Sequence, residues 1–313
     1  MAEFIRIPGN PPPEGAEVFD FMAADGVRLR GATFSVEHPR ACVILMAGRC
    51  EFIEKYFEVI KDLQARGFSV AMMDWRGQGL SARLLPDGSK GHVDDFRKFV
   101  DDLRLFTEEV AMKRFSGPYF LMTHSMGGAP GLQLLADGYD KFRGAVLCAP
   151  MTRLYAPGAM RIVLNVLPGI ASALGASEAA VPSAEDHSMK FDGNVLTSDH
   201  ARHDRFRELQ TVAPNAVIGA PTFGWVKAAT AAMNDLHRPG RFENLKTPVL
   251  IVSAEEDKLV DSLDHETLAA RSSLIKRVLI KGALHEIMME QDKYRAEFWK
   301  AVDEFLNPLL VQN

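Results

Sequence analysis

Short apolar runs alternate along this chain with longer stretches whose apolar residues recur every three or four positions. The short runs fall at residues 18–22, 27–34, 41–46, 68–73, 119–123, 145–148, 249–253 and 275–280. Their length and β-branched content predict strands. Between them, residues 54–66 carry Phe57, Ile60 and Leu63, and residues 93–114 carry Phe96, Phe99, Val100, Leu103 and Phe106. Such a stripe predicts a helix laid against a sheet. Strand and helix in alternation imply parallel pairing, whereas the first two strands, joined around Asp25-Gly26, are expected to form an antiparallel edge. From residue 151 to 243 the strand rhythm disappears and helical sequence rich in Ala, Leu, Met and Gly replaces it. The expected organisation is therefore a core of residues 1–150 and 244–313, interrupted by a helical cap at 151–243. Within the cap, residues 158–170 read first as a packing helix and second as an acyl-tunnel or membrane-facing surface. Pro168 is expected to break that helix before it could span a bilayer.

The run Tyr119-Phe120-Leu121-Met122-Thr123 ends at His124-Ser125-Met126-Gly127-Gly128. A serine in a sharp strand-to-helix turn is pushed clear of the backbone, with the next amide free to face a reacting carbonyl oxygen. The same serine could instead cap the following helix. Thr123 stands where the Gly-x-Ser-x-Gly pattern has its first glycine. Partners for Ser125 appear further on. The strand at 249–253 runs into the acidic loop Glu255-Glu256-Asp257-Lys258-Leu259-Val260-Asp261, and the strand at 275–280 is followed by Gly282-Ala283-Leu284-His285-Glu286. In an open parallel sheet the loops beyond the carboxyl ends of the strands share one edge, so residues distant in sequence can converge there. Ser125, an acid and His285 thus form a candidate nucleophile, orienting carboxylate and base. Asp257 is the acid by its position in the motif, with Glu256 and Asp261 as alternatives. His124 is expected to face the interior and be structural.

These segments resemble the α/β-hydrolase superfamily, and within it the serine hydrolases that include monoacylglycerol lipases and bacterial lysophospholipases. Ala47-Gly48-Arg49-Cys50-Glu51-Phe52 resembles the oxyanion loop, Asp74-Trp75-Arg76-Gly77-Gln78-Gly79-Leu80-Ser81 the D-x-R-G-x-G-x-S loop, and Thr123 to Gly128 the nucleophile elbow. Leu196-Thr197-Ser198-Asp199, the stretch Gly219 to Trp225, and Arg49 after Gly48 are closer to the lysophospholipase branch. The resemblance covers nearly the whole chain. It implies an α/β-hydrolase fold with a mostly parallel eight-stranded sheet, flanking helices and an inserted helical cap. It further implies an oxyanion hole from the amides of Arg49 and Met126, catalysis by Ser125, Asp257 and His285 without cofactor or metal, and a fatty acyl ester substrate, either lysophospholipid or monoacylglycerol. A short-chain carboxylesterase and a catalytically silent ligand-binding protein are the rival readings. Asp74 and Arg76, set among glycines, are expected to hold a tight loop. The Arg49 side chain could pin its own loop, meet an anionic headgroup or form a surface ion pair.

Composition narrows the remaining classes. The chain has 313 residues, 47% of them hydrophobic and 25% charged, which is ordinary globular usage. A formal net charge of -5 without a basic run disfavours nucleic-acid binding and strongly anionic lipid surfaces. Cys42, Cys50 and Cys148 cannot build a disulfide framework, and a reducing, cytoplasmic location is expected. Residues 1–15 lack a continuous apolar core and do not read as a signal peptide. Peripheral membrane contact through the cap remains compatible with a lipid substrate, and the sequence leaves the oligomeric state open. Asp199-His200-Ala201-Arg202-His203-Asp204 places two histidines near carboxylates, but the spacing matches no metal motif and an arginine sits among them. A solvated polar face is expected there.

Overall fold

The computed structural model describes residues 2–156, 160–182 and 190–311, with only the backbone described for 160–165. Among the apolar runs, β3 (Ala41–Met46), β4 (Phe68–Met73) and β7 (Val249–Ala254) are buried at every residue and β5 (Tyr119–His124) at every residue but its first. Covered on both faces, they have no need of alternation. β1 (Ala16–Met22) and β8 (Ile275–Ile280) are partly exposed, as edge strands should be, while β2 (Arg28–Phe34) and β6 (Phe142–Cys148) complete the sheet. The order is β1-β2-β4-β3-β5-β6-β7-β8. β2 runs antiparallel to both β1 and β4, and all other pairs are parallel. The expected eight-stranded, mostly parallel sheet is what the chain forms.

Helices cover both faces. α1 (Phe57–Ala65) and α9 (Asp292–Val311) bury Ile60, Leu63, Phe298 and Val302 on one side. On the other lie α2 (Arg97–Leu105), which continues through a π turn into α3 (Met112–Arg114), then α4 (Gly128–Ala136) and α8 (Ser262–Ala269). Between β6 and β7 come α5 (Met160–Ala173), α6 (His200–Val212) and α7 (Phe223–Leu236). Although α7 lies within the stretch expected to be cap, its Trp225, Ala229, Met233 and Leu236 belong to the core beneath the sheet. α5 rests on α7. It also corrects one expectation, because the helix runs through Pro168 to Ala173. A proline removes one backbone donor and bends a helix without having to end it. Gly158 and Ala159 of the apolar run lie outside the described residues. No helix among the described residues is long and apolar enough to cross a membrane.

The glycine-rich loop after β4 is held by buried charge. Asp74 accepts from Arg30 Nη1 at 2.9 Å, from the Ile53 amide at 3.0 Å and from the Leu80 amide at 2.9 Å. Arg30 also grips Glu54, and all three side chains are almost fully buried. Arg76 pairs with Asp102 and Asp25 across the same loop. Both residues of the motif are thus structural. Removing Arg30 would leave two carboxylates buried without their cation, a loss of about 3–5 kcal/mol. Arg30→Leu is expected to lower the unfolding free energy by that amount in urea titrations, and an unchanged midpoint would refute this account of the loop.

Candidate active site

The carboxyl ends of β5, β7 and β8 lie along one sheet edge, and the turn after each contributes one side chain. At the end of β5 the chain turns so sharply that Ser125 takes φ of +49°, in the left-handed region that a non-glycine residue enters at a cost. Gly127 makes the turn feasible, since a Cβ there would stand 2.6 Å from the Ala47 carbonyl oxygen. Thr123 occupies the usual glycine position because α4 yields space: a Cβ on Gly131 would come 3.1 Å from the Thr123 methyl. The Ser125 hydroxyl lies 2.8 Å from His285 Nε2, and His285 Nδ1 lies 2.7 Å from Asp257 Oδ2. With Nδ1–H donating to the carboxylate, Nε2 presents its lone pair to the serine hydroxyl.

The structure brings Asp257 to the imidazole, and the neighbouring acids lie elsewhere. Glu256 is exposed and pairs with Lys258 at 3.5 Å, while Asp261 caps α8 by accepting from the Leu263 amide. The other oxygen of Asp257 accepts from the amides of Leu259 and Val260 at 2.8 and 2.9 Å. Burial alone would raise this carboxyl, but the charge and hydrogen bond of His285 and the two amides outweigh it and hold it below the usual carboxylate range.

The loop resembling an oxyanion site is held on both sides of Arg49. The Gly48 amide donates to Glu51 Oε2, and the Cys50 amide donates to Gln78 Oε1 at 2.8 Å. Gln78 Nε2 reaches Met126 Sδ at 3.5 Å, so one side chain links the residue after Arg49 to Met126. Trp75 Nε1 fixes the strand end through the Ala47 carbonyl at 2.8 Å. The Arg49 side chain pins rather than pairs: its guanidinium meets the Gly219 carbonyl and Cys50 Sγ, and stands 5.3 Å from the Trp225 ring centroid. Cys42, Cys50 and Cys148 form no disulfide among the described residues.

Several residues around the site carried no signal when the motifs were read singly. His124 is buried, as expected, with Nδ1 at 3.1 Å from Glu51 and its ring centroid 5.0 Å from that of His285. Glu51, Lys55, Tyr56 and Glu286 join it in one buried polar cluster. Their trace in the sequence was charge beside two catalytic-type motifs, with Glu51 and Lys55 one helical turn apart. The loop carrying His285 is also bound to the segment before α6: the Glu286 amide donates to the Leu196 carbonyl, Thr197 Oγ1 to the Met289 carbonyl, and Ser198 Oγ to Glu290, at 2.8, 2.8 and 2.6 Å. On α6, the expected solvated face is in part an anchor. Arg202 is mostly buried and bridges Glu58, Asp199 and Asp292.

A family model described as serine aminopeptidase, S33, matches residues 37–292. The chain belongs to this family. It is 31% identical over 301 residues to lysophospholipase L2 of Escherichia coli strain K12, an alignment covering 92% of this chain and 86% of that protein. It is 25% identical over 278 residues to a monoacylglycerol lipase of Mycolicibacterium smegmatis, covering 87% and 91% of the two chains. A soluble variant of monoglyceride lipase from Saccharomyces cerevisiae superimposes with a TM-score of 0.79 at 22% identity, over 99% of this chain and 100% of that one. That likeness is one of fold, the α/β-hydrolase fold expected from the sequence.

The depressed carboxyl of Asp257 has a thermodynamic counterpart. A group whose folded value lies below its unfolded one stabilises the native state above the unfolded value, about pH 4 for aspartate, and this contribution is lost as pH falls through the folded value. Wild-type protein is therefore expected to lose urea stability below about pH 4 more steeply than Asp257→Asn. Parallel stability curves for the two would contradict the depressed carboxyl of Asp257.

Proposed function

We propose that the protein is a serine hydrolase that cleaves the carboxylic ester of a single-chain lipid, a lysophospholipid or a monoacylglycerol, through a covalent acyl-enzyme. The observation carrying this reading is the unbroken line from Ser125 Oγ through His285 to Asp257, at 2.8 and 2.7 Å. His285 Nε2 takes the proton as Ser125 attacks the ester carbonyl, and Asp257 stabilises the imidazolium that forms. The amides of Arg49 and Met126 receive the oxyanion, each such donor being worth about 3 kcal/mol of barrier. His285 then protonates the departing alcohol and activates the water that releases the fatty acid.

The lipid assignment is supported by what the relatives are named for and by the insert between β6 and β7. Residues 151–243 serve as the cap, with α7 as its root in the core and the part before α7 as the cover. On α5, Val166 and Ile170 are 50% and 52% exposed, Leu174 just past its end is 80% exposed, and Tyr155 and Leu259, joined by a backbone hydrogen bond, are exposed as well. Each methylene of an acyl chain withdrawn from water contributes about 0.8 kcal/mol, so an apolar cover gives affinity that grows with chain length. The same face is suited to a peripheral contact with a lipid surface by a protein that otherwise resides in the cytoplasm.

The test is a panel of monoacylglycerols, lysophospholipids, p-nitrophenyl esters of increasing length and aminoacyl naphthylamides, assayed on wild type and Ser125→Ala. Turnover is expected to rise with acyl length and to fall by at least about 10³-fold in the variant. A fall in turnover with length would favour a short-chain esterase, preference for the amides a peptidase, and absence of a fluorophosphonate adduct on Ser125 a silent binder.

A further inference from the structure

Lys55 lies behind the candidate catalytic groups with its ammonium almost fully buried. It stands 2.7 Å from Glu51 Oε1 and 2.5 Å from Glu286 Oε1, carboxylates that are 235 residues apart in the chain by their numbering (286 less 51). The Phe206 ring of α6 covers it at 4.4 Å. Each of its two partners is bound to a different part of the site. Glu51 accepts from the Gly48 amide, from the Tyr56 hydroxyl at 2.6 Å and from His124 Nδ1 at 3.1 Å, and so holds the residues next to Arg49 and Ser125. Glu286 follows His285 directly, and its amide donates to Leu196.

We infer that Lys55 is a positioning residue, whose ammonium draws the loop presenting the Arg49 amide and the loop carrying His285 onto one point and so sets their separation. The inference rests on the hydrolytic reading of Ser125 and His285. Two buried carboxylates converging on one point repel unless a cation stands between them, and in this surrounding the attraction of each to the ammonium is weakly screened. The groups facing Lys55 are Glu51, Glu286, Tyr56 and His124, with Phe206 closing the side towards α6. Burial would lower the Lys55 ammonium and raise Glu51, but the opposite charges prevail. Lys55 is held above its usual value and Glu51 well below its own. His124 is likewise raised, since Glu51 outweighs its desolvation. The Lys55 ammonium thus stands between the Glu51 and Glu286 carboxylates.

Without Lys55, the two carboxylates face each other with no ammonium between them, and one of them must hold a proton for the loops to stay together. In Lys55→Met, kcat on a p-nitrophenyl ester is expected to fall about tenfold or more with KM changed by less than about twofold, because the loss is of alignment in the transition state. Its kcat should also decline as pH rises through the retained proton, a limb absent from wild type. Lys55→Arg should retain most of kcat, and adding Glu286→Gln to Lys55→Met should recover activity and remove the new limb by discarding the second negative charge. A folded Lys55→Met with wild-type kcat and pH profile overturns the inference. So does a double variant no better than the single one. If Lys55→Met does not fold, Glu286→Gln alone decides: reduced kcat at constant KM supports the inference, and wild-type kcat overturns it. Fluorophosphonate labelling of wild-type Ser125 runs alongside, so that failure of the hydrolytic reading, no labelling at all, is distinct from failure of the role of Lys55, equal labelling rates in wild type and variant.

Discussion

An imidazole has two nitrogens, and the arrangement of this protein turns on giving each of them one partner. Asp257 at 2.7 Å claims the proton of Nδ1, which leaves the lone pair of Nε2 for the Ser125 hydroxyl at 2.8 Å. The tautomer is thereby set by the carboxylate rather than by chance. Neither partner comes from the strand that leads to His285. Their convergence requires β5, β7 and β8 to end along one edge, and it is the parallel pairing of β5 with β6, β6 with β7, and β7 with β8 that ensures this. The sheet is in this sense the instrument that aims the imidazole.

Buried charge is unevenly distributed over the molecule. The two sheet faces are packed with aliphatic and aromatic side chains, whereas the ion pairs with almost no solvent contact tie the loops beyond the strand ends to each other and to neighbouring strands and helices: Arg30 with Glu54 and Asp74, Arg76 with Asp102, and Lys55 with Glu51 and Glu286. Such pairs are a poor source of net stability, because desolvation consumes much of their attraction. What they supply is direction. A hydrogen-bonded ion pair fixes where a loop lies in a way that apolar contact does not, and loops are where this fold keeps its chemistry.

The sheet was legible in the sequence because its inner strands are continuous apolar runs, and the runs at residues 41–46, 68–73 and 275–280 coincide with β3, β4 and β8. The serine and histidine stood out because each interrupts such a run at its end. The acid was less distinct, since Glu256, Asp257 and Asp261 share one loop and only the fold separates an exposed ion pair, a partner of His285 and a helix cap. Other features were hidden for a common reason: they depend on pairs of residues far apart in the chain. Lys55 meets Glu286, Arg202 meets Glu58, and Gln78 spans from Cys50 to Met126. Hydrophobic period carries no information about such meetings. At Pro168 the local preference of proline for a helix end is overridden, and the helix that packs on α7 continues to Ala173.

The fit of Thr123 against Gly131 means that two positions eight residues apart act as a single steric unit. Placing the customary glycine at 123 would open a void beneath the elbow, and placing a methyl at 131 would press on the threonine already there. An exchange at either position changes the room left for the other, so a redesign of this elbow has to treat the two together.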